Sequence, residues 1–121
     1  MIYLASPYTH PSVTIREERY HAAVDYVSVA VPFFAAFIFS PIVYWHPVAL
    51  RHDLPGDAHY WEEINRSTFK SVTALLVLDL DGWQRSVGIG LEIKWARDNG
   101  LPIHLTGMAK GVGVWIQPYS M

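Results

Sequence analysis

The run Ala74-Leu-Leu-Val-Leu78 passes directly into Asp79-Leu-Asp-Gly-Trp-Gln-Arg-Ser86 and then into Val87-Gly-Ile-Gly-Leu-Glu92. Apolar residues without polar alternation predict a strand covered on both faces, as in parallel sheets flanked by helices. The polar stretch reads as a loop, and the segment 86–99 reads as a helix stopped by Asn99-Gly100. A strand feeding a helix in this way offers free backbone N–H groups and a positive helix end to an anion. Gly88 and Gly90 remove side chains where a ligand must come close. Glu92 lies one turn beyond Gly88 on the same helical face, so an open notch sits beside a carboxylate.

The rest of the chain supplies partners for that unit. Ile2 to Ala5 predicts a first strand, ended by the loop Ser6-Pro7-Tyr8-Thr9-His10-Pro11. Thr14-Ile-Arg-Glu17 matches a capping box, and Tyr20, Ala23, Val24, Val27 and Val31 follow at helical spacing. Pro32 is expected to end that helix. Phe34 to Phe39 predicts a second strand closed by Ser40-Pro41, and the stretch to Pro55-Gly56 reads as a long loop, with or without a helical turn. Asp57 is expected to cap a helix running to about Ser71, and Val72 to Leu78 is the third strand. Pro102 to Thr106 predicts a fourth strand, and Val112 to Ile116 is a candidate fifth. The alternation predicts an α/β chain with a four- to five-stranded parallel sheet between two helical layers, a single domain over 1–121. Ligands in such folds bind beyond the carboxyl ends of the strands. There the loops 6–10, 40–46 and 79–86 should converge.

Charge and composition narrow the function. A formal net charge of −2 gives no basic footprint, which excludes general binding of a nucleic acid polymer. The absence of cysteine excludes disulfides and thiolate chemistry and fits a cytoplasmic protein. The start Met-Ile-Tyr-Leu-Ala lacks the basic onset of a signal peptide. The apolar run Val27 to Val43 is interrupted by Pro32, Ser40 and Pro41 and reads as a buried helix end and strand rather than a membrane span.

Several residues carry two readings. Ser86 caps its helix or holds a phosphate or ribose hydroxyl, and these roles are compatible. Asp79 and Asp81 either shape the turn at Gly82 or, for Asp79, face the site. His46, His52 and His59 match no metal-binding spacing, so no metal or other cofactor is expected, and His46 instead lines the pocket beside Tyr44 and Trp45. The segment 57–65, with Trp61 and Asn65, is either a wall for stacking a base or a helix packed on the sheet. Walker, dinucleotide-fingerprint and serine-elbow patterns are missing.

Together, Ile2-Tyr-Leu-Ala-Ser-Pro-Tyr8, Phe39-Ser-Pro-Ile42, Ser86-Val-Gly-Ile-Gly-Leu-Glu92 and Leu101-Pro-Ile103 resemble the nucleoside 2-deoxyribosyltransferase superfamily. That superfamily includes deoxynucleoside 5′-monophosphate N-glycosidases and a small, poorly characterised branch. The resemblance implies a flavodoxin-like or Rossmann-like three-layer fold and a covalent reaction at the anomeric carbon of a deoxyribose. Glu92 is then the nucleophile, with Asn65 and Asp79 as further catalytic positions. Ser86 and the amides around Gly88 and Gly90 would hold a 5′-phosphate. Tyr3, Ser6, Pro7, Tyr8, the Ser40 loop, His46 and Trp61 would surround the sugar and base. The implied partner is a small nucleoside or nucleotide, and the implied assembly is a homodimer or homotetramer. Two departures stand out. Asn65 occupies the position where the family often has an aspartate, and an amide cannot act as a general acid. The helix end Ala30-Val-Pro-Phe-Phe34 also lacks the glycine turn usual before the second strand.

Overall fold

The structure is a computed structural model, and it describes residues 1–52 and 58–120. Five strands, β1 (Ile2–Ala5), β2 (Ile38–Phe39), β3 (Ala74–Leu78), β4 (Ile103–Ala109) and β5 (Gly113–Pro118), form one sheet in the order β2-β1-β3-β4-β5. Four helices, α1 (Val13–Phe34), α2 (Pro41–His52), α3 (Ala58–Ser67) and α4 (Val87–Asp98), flank it. The first four strands pair in parallel, whereas β5 runs antiparallel to β4. The sheet is therefore mixed, which corrects the expectation of a purely parallel one. The reason is local. Only the short turn Lys110–Val112 separates the last two strands, which permits a hairpin and leaves no room for a crossover helix.

Alternation along the strands sorts the core into two layers. Tyr3, Ala5, Leu75, Val77 and Ile103 pack with Ile89, Ile93 and Ala96 of α4. Leu4, Leu76 and Leu78 pack on the other face with Ala23, Tyr26 and Ala30 of α1. Because β3 is central and covered twice, its apolar run has no polar face, as read from sequence. Each such buried aliphatic side chain contributes about 1.5–3 kcal/mol.

The α1 boundaries differ from expectation at both ends. Ser12 is the N-cap, with its hydroxyl accepting from the Ile15 amide at 3.3 Å. The Thr14–Glu17 capping box does not form, because Glu17 bonds elsewhere, to His46. Pro32 does not end the helix, which runs on to Phe34. The break comes at Ala35, whose φ of 50° takes the left-handed conformation usually given to glycine. The second strand is consequently only Ile38–Phe39. The segment read as a long loop after Ser40 is largely α2, started by the Ser40 hydroxyl accepting from the Val43 amide at 3.2 Å. The proposed Asp57 cap and the Pro55-Gly56 turn lie outside the described residues. The helix that follows ends at Ser67 and tightens into a 3₁₀ turn over Thr68–Ser71.

Candidate functional site

The order of the strands reverses direction between β1 and β3, so the loops after these two strands diverge and leave a crevice. A cleft of about 600 Å³ opens there. That volume lies within the usual range for small-molecule sites. One wall comes from the loop after β1 (Ser6, Tyr8, Thr9, His10) and a second from α2 and α3 (Trp45, His46, Trp61, Asn65). The third comes from the segment between β3 and α4 (Asp81, Gly82, Arg85, Ser86, Gly88, Glu92). The three expected loops do converge, except that the second is a helix.

Glu92 lies at the cleft and is 8% exposed. Burial pushes its carboxyl up to about 8, and the Tyr3 hydroxyl draws it part of the way back. Tyr3 is fully buried, and burial followed by the nearby Glu92 charge raises its phenol well above the ordinary range. The Tyr3 hydroxyl makes no hydrogen bond of regular geometry among the described residues, yet it lies close enough to the Glu92 carboxyl to favour its ionised form. The Ser6 hydroxyl is likewise buried at the cleft without a protein partner. Buried polar atoms of this kind are rare in folded proteins and call for a ligand or water.

Gly88 forms the notch. A Cβ built there would stand 3.8 Å from the Ser86 hydroxyl and 4.0 Å from Glu92 Oε1, so a side chain would point into the space beside the carboxyl. Ser86 caps α4 by accepting from the Ile89 amide at 3.2 Å, and its O–H remains able to donate. Arginine joins the site as well. Arg19 of α1 reaches across the cleft mouth, donating to the carbonyls of Thr9 at 3.1 Å and Asp81 at 3.2 Å. A Cβ on Gly82 would lie 2.8 Å from one Arg19 nitrogen and 3.8 Å from one of Arg85, which brings two guanidiniums to one point. Among the described residues neither is within ion-pair distance of a carboxylate. The sequence signal was the pair Arg16 and Arg19, three apart on one face of α1. Both hold the loop after β1, Arg16 through the carbonyl of His10.

Opposite Glu92, Trp45 stacks on Trp61 with centroids 4.5 Å apart and planes 23° from parallel. The Trp45 indole N–H donates to Asn65 Oδ1 at 3.1 Å, which leaves the Asn65 NH₂ group as a donor at the cleft. His46 is buried, and both ring nitrogens are engaged, Nδ1 by the Tyr8 hydroxyl and Nε2 by Glu17 Oε1. Neither nitrogen is therefore open to a metal. Among the described residues no cluster of three histidine, aspartate or glutamate side chains could hold one.

The remaining expected positions sit outside the cleft lining. Asp79 is exposed, and its backbone N–H continues the ladder by donating to Thr106; Asp81 lines the cleft instead. Pro7 and Ser40 are buried behind the loops they shape, and Gly90 faces open space on the outer side of α4.

Fold and cleft together define a doubly wound α/β domain with a crevice at its topological switch point. The chain belongs to the family DUF1937, a domain of unknown function, whose model matches residues 1–108. No curated protein matches it. Among the described residues no helix is long and apolar enough to cross a membrane.

Proposed function

We propose that the protein cleaves or transfers the N-glycosidic bond of a deoxynucleoside or its 5′-monophosphate, with Glu92 attacking the anomeric carbon. The observation that carries this reading is the Glu92 carboxyl, buried at the cleft beside the Gly88 notch and the buried Tyr3 hydroxyl. A carboxyl raised by burial in a cleft is a candidate reactive group. The wall of Trp45 and Trp61 suits a stacked base, and Ser6 with the Asn65 NH₂ group suits sugar hydroxyls or base edges. Arg19, Arg85 and the first free amides of α4 suit a 5′-phosphate, so the monophosphate is the preferred substrate.

In the reaction, ionised Glu92 forms a bond to C1′ as the C1′–N bond breaks through an oxocarbenium-like transition state. Water or a second base then displaces Glu92. The test is to incubate the protein with each deoxynucleoside and deoxynucleoside 5′-monophosphate and measure free base by chromatography. Release that persists at the wild-type rate in Glu92→Ala would overturn the assignment.

Asn65 supports a second reading, a nucleotide-binding module without catalysis, because an aspartate at that position would supply an acid. Thermal stabilisation by nucleotides without base release is its signature. A homodimer or homotetramer also fits this proposal. Phe33, Phe37 and Tyr44 are exposed around the short edge strand β2, and light scattering measures the assembly directly.

A further inference from the structure

Cleavage of a glycosidic bond to a base needs a proton for the departing nitrogen, and Asn65 has none to give. The other side of the cleft holds a set of groups that the reaction has not yet used. Tyr8 follows β1, lines the cleft and is only half-buried, and its hydroxyl is 2.5 Å from His46 Nδ1. His46 Nε2 is 2.8 Å from Glu17 Oε1. His21 stands 3.6 Å from the other oxygen of Glu17 and is exposed to solvent. The Tyr20 ring stacks on the imidazole at 4.2 Å and 27°, and the Tyr8 ring meets it edge-on at 5.4 Å. His46 is thus held in one orientation by two hydrogen bonds and two rings. The order is cleft hydroxyl, buried imidazole, half-exposed carboxylate, solvent-exposed imidazole.

We propose that Tyr8, His46 and Glu17 form a proton relay, in which the Tyr8 hydroxyl protonates the departing base and is reprotonated from His46. This rests on the glycosyl-transfer reading of the cleft and supplies the acid that reading lacks. Tyr8 is the catalytic residue, and His46 and Glu17 position and recharge it. Before the step, Glu92 is ionised and the His46 imidazolium donates from Nδ1 to the Tyr8 oxygen and from Nε2 to Glu17. As the C1′–N bond breaks, its electron pair goes to the base nitrogen, which takes the Tyr8 proton. Tyr8 takes the Nδ1 proton, and His46 is left neutral with Nε2–H still on Glu17. In the second half, a water oxygen bonds to C1′ and the electron pair of the C1′–O bond returns to Glu92. The water proton passes to Tyr8, whose own proton returns to Nδ1. Charges and protons close over the cycle with no outside reagent. A merely structural triad would also fix the loop after β1, so the leaving group must discriminate the two roles.

The experiment compares wild type, Tyr8→Phe, His46→Gln and Glu17→Gln on two substrates. One is a deoxynucleoside monophosphate with an ordinary base. The other is its N7-methylpurine counterpart, whose cationic base leaves without being protonated. The relay predicts that Tyr8→Phe and His46→Gln lower kcat by on the order of 10²-fold on the ordinary substrate and under about 3-fold on the methylated one. Glu17→Gln is expected to give the same pattern with a smaller loss, because an amide oxygen still orients Nε2–H. Equal losses on both substrates, or none on either, would overturn the relay while leaving the glycosyl reading intact. If wild type releases base from neither substrate, the glycosyl reading fails and the relay falls with it. Near-ultraviolet circular dichroism verifies that each variant keeps its fold. Tyr8→Phe alters a single hydroxyl, so it decides the matter if His46→Gln does not fold.

Discussion

Glu92 and Glu17 belong to helices on opposite faces of the sheet, yet both bear on the crevice at the carboxyl ends of β1 and β3, Glu92 in its lining and Glu17 through His46. Glu92 is buried and, among the described residues, the Tyr3 hydroxyl alone tempers the cost of its charge, so its carboxyl is raised to about 8. Glu17 is 38% exposed and sits between two imidazoles, with one oxygen toward each. The same side chain is thus isolated in one layer and networked in the other. In the proposed mechanism, isolation suits Glu92 to bond to a cationic carbon, and networking suits Glu17 to steady a proton carrier.

Exchanging these side chains separately is the most direct way to break the contrast. Glu92→Ala is expected to lower base release on the order of 10³-fold or more, the scale for losing a nucleophile. Glu17→Ala, which keeps the nucleophile, is expected to lose on the order of 10-fold. A comparable loss in both would mean that the two carboxylates are not functionally distinct. On the N7-methylpurine substrate, which needs no acid, wild-type kcat/KM should climb with pH and level off above about 8, because Glu92 attacks only when ionised.

Stability sharpens the comparison with a smaller effect. The Glu92 carboxyl rises from an ordinary 4.5 to about 8 on folding, so between these values the folded chain binds more protons than the unfolded one. Stability at this site is therefore full below about 4.5 and is lost as pH rises toward 8. Glu92→Gln should relieve that loss, stabilising the protein by about 2–4 kcal/mol at pH 8 and little at pH 4.5. Thermal melts at the two pH values measure the difference. Glu17→Gln should have the opposite sign, a loss below about 1 kcal/mol from the weakened His46 bond. One further change concerns neither glutamate. Arg85→Ala should reduce the preference for monophosphate over nucleoside by about 10-fold while leaving nucleoside cleavage unchanged, read as a ratio of KM values.

The two carboxylates also differ in how legible they were. Glu92, Gly88 and Ser86 lie within seven consecutive residues, and helical spacing alone places them on one side of a turn. The central strand was equally plain, because burial on both faces removes polar residues from the run. Glu17, His46 and Tyr8 come from three elements, and 38 residues separate the histidine from the tyrosine. No periodicity encodes such a meeting. Glu17 also fitted a capping box so well that its side chain was assigned to the wrong partner. The helix over 41–52 falls in the stretch after Ser40-Pro41 that reads as a long loop, with or without a helical turn. Pro41 occupies its first residue, where no amide partner is needed, and the interior Pro47 is tolerated in an apolar helix packed beside α1. Ala35 hid the end of α1 in the same manner, by doing what glycine usually does.

Arg19 has a mechanical meaning as well as an electrical one. Its guanidinium donates at once to Thr9 and Asp81, so a single side chain sets the spacing between loops that the sheet itself drives apart at the switch point. Gly82 lets it approach by having no Cβ and by adopting a φ of 90°. If the proposed phosphate binds Arg19 and Arg85, it loads the same clasp, so anion recognition and the spacing of the two loops would rest on one residue.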